Sequence, residues 1–294
     1  KGILLTPKLL KLVHKVTVLD NFMYGFECFL HLAKEKNLNV IKQDIRNLDT
    51  SLLPGYDVIV HLAGVSGMPA CAANPHSAEM INVDATRKLV SALGKEQVLL
   101  YASTTSFYGA AEEECTEDIE VNPVSLYGRT KYEAEVISME HPNAISLRFA
   151  TIFGVSPKMR VDLLVNDFAY KAVNDRSVVL FASRSKRTFI HLEDAIDSYL
   201  FALENRDKMA GQIYNVGDQD FNYSKLEIAE AIKKHVDFEI IDSTLPDLDT
   251  RNFYVSFKKL NALGYKAERT LEEGITELLN LYTFYKIYSP YNII

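Results

Sequence analysis

A tyrosine and a lysine four residues apart, Tyr127 and Lys131, are well suited to acid–base chemistry. Pro123 and Ser125 favour a helix start just before them, so both side chains should share one helix face, with an ammonium beside a phenol. A free phenol titrates near about 10, so its use at neutral pH requires a pKa lower by roughly 3, worth about 4 kcal/mol. A screened surface lysine cannot supply that, and we therefore expect a partly desolvated site.

The spacing alone is a weak signal, because it recurs at Tyr254/Lys258 and Tyr282/Lys286 in a chain with 16 tyrosines. Only Tyr127 has a serine two residues before it, a glycine directly after it and a strand ending in Ser-Thr-Thr upstream. The context therefore favours Tyr127 as the functional tyrosine.

Three predicted strands should bring their carboxyl ends to one edge of a sheet. VTVLD ends at Asp20, YDVIVHLA at Ala63 and QVLLYAST at Thr104. Ligands of open α/β sheets bind outside these strand ends, which predicts a single crevice. Thr104 would orient a substrate oxygen there for proton exchange with Tyr127.

Bulk properties exclude several classes of protein. The 294 residues are 48% hydrophobic and carry a net charge of −7, which gives no basic surface for nucleic acid. No apolar run or signal peptide indicates a membrane protein. The three cysteines lack metal-ligand spacing and are typical of reduced thiols, and the histidines show no metal pattern, so we expect a cytoplasmic protein without a metal. His61 is interpreted as a packed residue at the end of a strand.

Segments spread over most of the chain make it resemble an extended short-chain dehydrogenase/reductase of the nucleotide-sugar epimerase/dehydratase kind. In order they are VTVLD at 16–20, QDIRN at 43–47, VIVHLAG at 58–64, INVDATR at 81–87, STTSFYG at 103–109, SLYGRTK at 125–131, LRFATIFG at 147–154, RTFIHLED at 187–194 and YNVG at 214–217. The resemblance implies an α/β fold, a doubly wound, Rossmann-like parallel sheet with a smaller C-terminal substrate-binding lobe.

We expect the NAD-binding domain to comprise residues 1–153 and 187–217, and the substrate lobe to comprise 154–186 and 218–294, with substrate between them. The register makes Gly2 the third glycine of a phosphate-binding turn, and the first strand and other two glycines do not occur in this sequence. We therefore expect roughly 10 more residues ahead of Lys1 in the native protein. We also expect a homodimer.

The resemblance also assigns cofactor contacts. Asp20 stands eighteen residues after Gly2, as expected of an acid that binds the adenosine ribose, and an acid there disfavours a 2′-phosphate, so we predict NAD rather than NADP. The alternative role for Asp20 is to cap a turn. For Asn82, a bond to a neighbouring loop and a role in the cofactor site remain equally open. The predicted cofactor-binding residues are Gly2, Asp20, Asn21, Asp44, Ile45, Leu62, Ala63, Asn82, Tyr127 and Lys131.

Predicted substrate contacts are Thr105, Ser106, Thr151, Arg187 and Arg251. The arginines are candidates for the diphosphate, because guanidinium forks match phosphate oxygens. Dehydratases of this family carry Asp-Glu where this chain has Thr105 and Ser106, which argues against 4,6-dehydration. Epimerases acting on galactose-type sugars usually carry Asn at the position of Thr151, so their substrate should not be assumed. Ser66 and Asp162 depart from that pattern too.

Our leading interpretation is an NAD-dependent nucleotide-sugar epimerase, an isomerase that transiently oxidises a sugar hydroxyl with Thr104, Tyr127 and Lys131 as its catalytic residues. The alternative is a nucleotide-sugar ketoreductase or dehydrogenase that uses the same residues. A third interpretation is a regulatory protein that binds NAD without catalysis. The presence of Thr104, Tyr127 and Lys131 argues against it.

Overall fold

The computed structural model describes residues 1–247 and 249–286. Helices and parallel strands alternate through the first half, which confirms the predicted α/β class. The helices are α1 (Gly2–Lys11), α2 (Met68–Ala73), α3 (Pro75–Glu79), α4 (Ala85–Ser91), α5 (Leu126–Ser138), α6 (Leu164–Asn174), α7 (Leu192–Glu204), α8 (Arg206–Met209), α9 (Lys225–Lys233), α10 (Lys258–Asn261) and α11 (Leu271–Tyr282). The strands are β1 (Val16–Asp20), β2 (Leu38–Lys42), β3 (Val58–His61), β4 (Val98–Thr104), β5 (Ala110–Cys115), β6 (Ala144–Phe149), β7 (Thr151–Phe153), β8 (Ser177–Phe181), β9 (Lys186–His191), β10 (Gln212–Val216), β11 (Asn222–Ser224), β12 (Glu239–Ser243) and β13 (Asn252–Val255).

Contacts along the chain divide it into two compact units. The first comprises Lys1–Phe107, Ser125–Arg148 and Ile196–Tyr214, and the second comprises the remaining described residues. Residues 187–195, predicted in the NAD-binding domain, group with the second unit because β9 pairs with β7 and β11. The functional division of the chain into an NAD-binding domain and a substrate lobe stays a prediction.

The first unit contains a sheet of order β10-β6-β4-β3 and the pair β1-β2. Strands β3 and β4 run parallel, with His61 opposite Tyr101, and β1 and β2 run parallel with Asp20 opposite Lys42. Strand β4 is buried along most of its length, as expected of a strand covered on both faces. This arrangement brings the ends of β3 and β4 to the same edge.

The second unit contains three small sheets of order β11-β9-β7, β12-β8 and β13-β5. Its core includes buried side chains of α6, β8, α9 and α11. Helix α9 begins with a capping box between Ser224 and Glu227, and α11 begins with one between Thr270 and Glu273. Each box satisfies backbone N–H groups that the first helical turn leaves unpaired.

Composition and apolar periodicity predict a helix over 26–36, a loop over 64–75, a helix over 76–93 and an acidic loop over 110–124. The structure corrects all four. The helix expected over 26–36 is a 3-10 helix, Glu27–Leu32. The loop expected after Gly64 contains α2, where Pro69 in the first turn costs no hydrogen bond. The helix expected over 76–93 is interrupted by a π-helical turn, Met80–Asp84. The acidic loop expected over 110–124 begins with β5, because backbone pairing with β13 needs no apolar side chains.

Candidate functional site

Helix α5 carries both Tyr127 and Lys131 and begins where the sequence predicts. The Ser125 hydroxyl accepts a hydrogen bond from Gly128 N at 3.1 Å and caps the helix. The Asn82 amide donates to the Thr130 hydroxyl at 3.0 Å, and that hydroxyl donates to the backbone oxygen of Tyr127 at 3.2 Å. The turn that bears both side chains is therefore fixed from two directions.

Lys131 is almost fully buried, at 8% exposure. Its Nζ lies 4.2 Å from the centroid of the Tyr101 ring on β4. Burial, assisted by the charge of Lys1, lowers the pKa of Lys131 to about 7. The desolvated lysine that the sequence analysis requires is therefore present, and near neutral pH the ammonium and the amine are both populated.

Thr104 is the last residue of β4 and is buried. Its hydroxyl accepts from Ser106 N at 3.1 Å and donates to Ser106 Oγ at 3.0 Å. Thr105 is buried beside it, at the start of a 3-10 helix. The hydroxyl of Thr104 is thus oriented by the turn that follows the strand. Strand β4 and helix α5 pack together, so the structure brings Thr104, Tyr127 and Lys131 onto neighbouring elements of one unit.

The amino end of α1 lies against the loop that follows β3. A side chain at Gly2 would approach Leu62 to 3.4 Å, so the helix start and this loop are neighbours. Ala63 is half-buried next to Leu62. A helix start of this kind presents backbone N–H groups and a positive dipole end, which suit a pyrophosphate.

Asp20 ends β1 and its side chain is oriented by a turn. Its Oδ1 accepts from Phe22 N at 2.7 Å, and the other oxygen has no hydrogen-bond partner among the residues that the structure describes. Asp20 therefore caps a turn and still offers an acceptor oxygen. Asn21 donates to Asp44 Oδ2 at 3.4 Å, and Asp44 holds Arg46 in an ion pair of 2.8 Å.

Ile45 begins the short 3-10 helix that follows Asp44. Its side chain packs against the apolar cluster that contains Leu48, Leu53 and Leu99. Its predicted contact with the cofactor stays a prediction.

Asn82 lies in the π-helical turn and bonds the loop after β3. Its Oδ1 accepts from Val65 N at 2.7 Å, while its Nδ2 donates to Val65 O at 3.1 Å as well as to Thr130. Both amide protons are used within the protein. The loop-supporting role is therefore present, and Asn82 links that loop to α5.

The two candidate arginines meet on one carboxylate in the second unit. Arg251 forms an ion pair with Asp249 at 2.6 Å, and the buried Arg187 forms another with the same residue at 3.2 Å. Arg187 also donates to the backbone oxygen of Arg251. Burial opposes ionisation of Asp249, but hydrogen bonds and charge from the arginines outweigh it and hold its pKa below the usual range. Thr151 is half-buried at the start of β7.

The sequence profile of the NAD dependent epimerase/dehydratase family matches residues 2–217. The chain belongs to this family. It is 28% identical to an uncharacterized UDP-glucose epimerase of Bacillus subtilis, over 69% of each chain, and 25% identical to the CDP-paratose 2-epimerase of Salmonella typhi, over 81% of this chain and 80% of that one. Its fold matches the UDP-glucuronic acid 4-epimerase of Bacillus cereus in complex with UDP-glucuronic acid and NAD, with a TM-score of 0.82 and 23% identity over 96% of this chain and 95% of that one.

The residues of this epimerase/dehydratase family member fit NAD. The start of α1 at Gly2 suits the pyrophosphate, the acceptor oxygen of Asp20 suits a ribose hydroxyl, and the small Ala63 allows close approach to the end of β3. Family members are NAD-dependent, and the predicted cofactor is confirmed. No helix among the described residues is long and apolar enough to cross a membrane.

A buried ion pair that joins α5 to β6 was not predicted from the sequence. Glu135 accepts from Arg148 Nη2 at 2.8 Å and from the Ser146 hydroxyl at 2.7 Å, with both charged side chains almost fully buried. Arg148 also lies over the Phe107 ring, its Cζ 5.0 Å from the centroid. A glutamate one helical turn after Lys131 and an arginine inside an apolar strand were the available signals.

Proposed function

We propose that this family member is an NAD-dependent nucleotide-sugar epimerase that transiently oxidises a sugar hydroxyl. The observation that carries the proposal is helix α5, capped at Ser125, with the desolvated Lys131 one turn after Tyr127 and packed on the strand that ends at Thr104. The names of the Bacillus subtilis and Salmonella typhi relatives support the same reaction type.

Each side chain has a distinct role in this reaction. NAD, held by the start of α1 and by Asp20, would supply the acceptor and donor of the hydride. Tyr127 removes the proton from the hydroxyl on that carbon, and Thr104 holds the same oxygen by a hydrogen bond. Lys131 stabilises the phenolate of Tyr127 through its positive charge. After the keto sugar has turned over in the site, Tyr127 would return the proton to the same oxygen, which leaves the configuration at that carbon inverted.

We further propose that Arg187 and Arg251 bind the diphosphate of the substrate. Two guanidinium groups already converge on Asp249, and phosphate oxygens can accept the same forked hydrogen bonds as that carboxylate. Thr105 and Ser106 carry no carboxyl group to move protons during loss of water, which disfavours dehydration.

The test is incubation of purified protein with NAD and UDP-glucose or UDP-glucuronic acid, followed by proton NMR of the anomeric signals. An epimerase converts substrate into an epimer, leaves nicotinamide absorbance unchanged after turnover and incorporates no solvent deuterium at the inverted carbon. The variant Tyr127→Phe keeps the ring but loses the proton path, so turnover should fall by about 10² or more. Stoichiometric reduction of NAD to NADH would instead identify a dehydrogenase, and wild-type turnover in the phenylalanine variant would remove Tyr127 from the mechanism.

A further inference from the structure

Tyr101 contacts Lys131 at both ends of the residue. Its ring lies under the ammonium, at 4.2 Å from centroid to Nζ, and its hydroxyl donates to the backbone oxygen of Lys131 at 3.4 Å. Tyr101 is 1% exposed, so water does not compete at the ring face. A cation over an aromatic face is attracted by the ring quadrupole, and the attraction is largest where both are desolvated.

The ring of Tyr101 is itself supported from β3. The His61 ring lies 5.8 Å away, centroid to centroid, and burial lowers the pKa of His61 to about 3, so this side chain is neutral. His61 Nε2 lies 2.8 Å from the Thr86 hydroxyl, whose proton is donated to Asn82 O at 2.7 Å. A hydroxyl has one proton, so Nε2 carries the hydrogen of the imidazole. One buried chain of contacts thus runs from Lys131 through Tyr101 and His61 to Thr86.

We propose that Tyr101 is a positioning residue for Lys131. The face of the Tyr101 ring holds the lysine in its charged form, one helical turn from Tyr127. The role of Lys131 in turnover rests on the proposed function, but the effect of Tyr101 on Lys131 does not. Strand β4 would then have two roles, because it carries Thr104 at its end and, through Tyr101, sets the pH range in which Lys131 is a cation.

Other groups around Lys131 cannot replace the ring. Glu135 on the same helix favours the ammonium, but its carboxylate is shared with Arg148 and Ser146. The Cys71 thiol has a pKa raised to about 11 by burial, so it is uncharged near neutral pH. Lys1 opposes the charge, and His61 is neutral. The Tyr101 ring is therefore the contact that offsets desolvation without carrying a charge of its own.

The test replaces Tyr101 with phenylalanine and with phenylalanines that carry increasing numbers of ring fluorines. Fluorine withdraws electrons and weakens the quadrupole while the ring keeps its shape and packing. The midpoint of Lys131 protonation is measured in the purified protein by competitive labelling with acetic anhydride, with mass spectrometry of the peptide that contains Lys131. Labelling of the exposed Lys95 in the same samples is the internal control.

We expect the midpoint of Lys131 protonation in Tyr101→Phe to lie close to that of the wild-type protein. With added ring fluorines this midpoint should fall steadily, by roughly 0.5 to 1.5 pH units for the most fluorinated ring. A midpoint independent of fluorination would overturn the proposal, since a merely structural ring gives that result. If Lys131 acts as the cation in turnover, kcat should begin to fall at correspondingly lower pH. A protein that shows the labelling trend without epimerase turnover would refute the proposed function and leave the role of Tyr101 intact.

Discussion

The ion pair between Glu135 and Arg148 supports a strong prediction about stability. Glu135 on α5 is 1% exposed and Arg148 on β6 is 3% exposed, and Arg148 Nε and Nη2 lie 2.8 to 3.1 Å from the Glu135 carboxylate. Glu135→Gln keeps size and shape but leaves the Arg148 cation buried without its counter-charge. Breaking a buried pair in this way costs about 3 to 5 kcal/mol.

That loss is large relative to a total stability of roughly 5 to 15 kcal/mol, and it should lower Tm by about 5 to 8 °C for a chain of this size. Circular dichroism during urea and thermal unfolding measures both quantities. The matched control is Glu133→Gln on the same helix, because Glu133 meets Arg87 at 3.5 Å where both are about half exposed. Such surface pairs contribute less than about 1 kcal/mol.

A double variant, Glu135→Gln with Arg148→Met, separates the two charges from the rest of the site. Removing the orphaned cation should recover part of the loss, because the double variant has no unpaired buried charge. The reasoning fails if Glu135→Gln is no less stable than Glu133→Gln, since that would mean the buried cation is solvated in some other way.

Three further predictions concern the cofactor, the reaction and pH. Asp20→Ala should weaken the binding of NAD and bring its dissociation constant closer to that of NADP. Tighter binding of NADP than of NAD by the wild-type protein would contradict the assignment of Asp20 to the adenosine ribose. No 4-keto-6-deoxy sugar should form from the nucleotide sugar, because Thr105 and Ser106 lack the carboxyl groups that dehydration needs. Such a sugar absorbs light in alkali, and the appearance of this absorbance would contradict the prediction. The pKa of Lys131 is about 7 when folded, below its ordinary 10.5, so the unfolded chain binds more protons between these values and unfolding free energy should rise with pH. Relative to Lys131→Met, the gain should approach about 1.4 kcal/mol per pH unit above pH 7, and a pH-independent difference would refute the burial of the charge.

Sequence patterns predicted the elements that carry the site, because their signals are local. The cap at Ser125 and the four-residue spacing of Tyr127 and Lys131 place both side chains on α5 without knowledge of any partner. Apolar runs ending at Asp20 and Thr104 likewise mark strands whose ends fall where predicted. The family resemblance gave the cofactor, which the family match confirms.

The prediction of secondary structure failed where strand pairing or side-chain packing overrides local composition. The segment AAEEEC has an acidic composition typical of a loop, yet it forms β5 because β13 supplies backbone partners from far along the chain. The long helix over 76–93 contains a π-helical turn at Asn82, where the amide bonds both the loop after β3 and Thr130 on α5. Neither partner can be identified from the residues around Asn82 alone.

The sequence by itself determined which side chains could perform acid–base chemistry and on which elements they lie, since helix caps, periodicity and strand ends depend on neighbouring residues. Only the tertiary structure decided their environment. Burial of Lys131 over Tyr101, the shared carboxylate of Asp249 and the buried pair of Glu135 and Arg148 each join residues from separate elements. Desolvation and charge pairing depend on these distances in space, so they become defined only when the chain has folded.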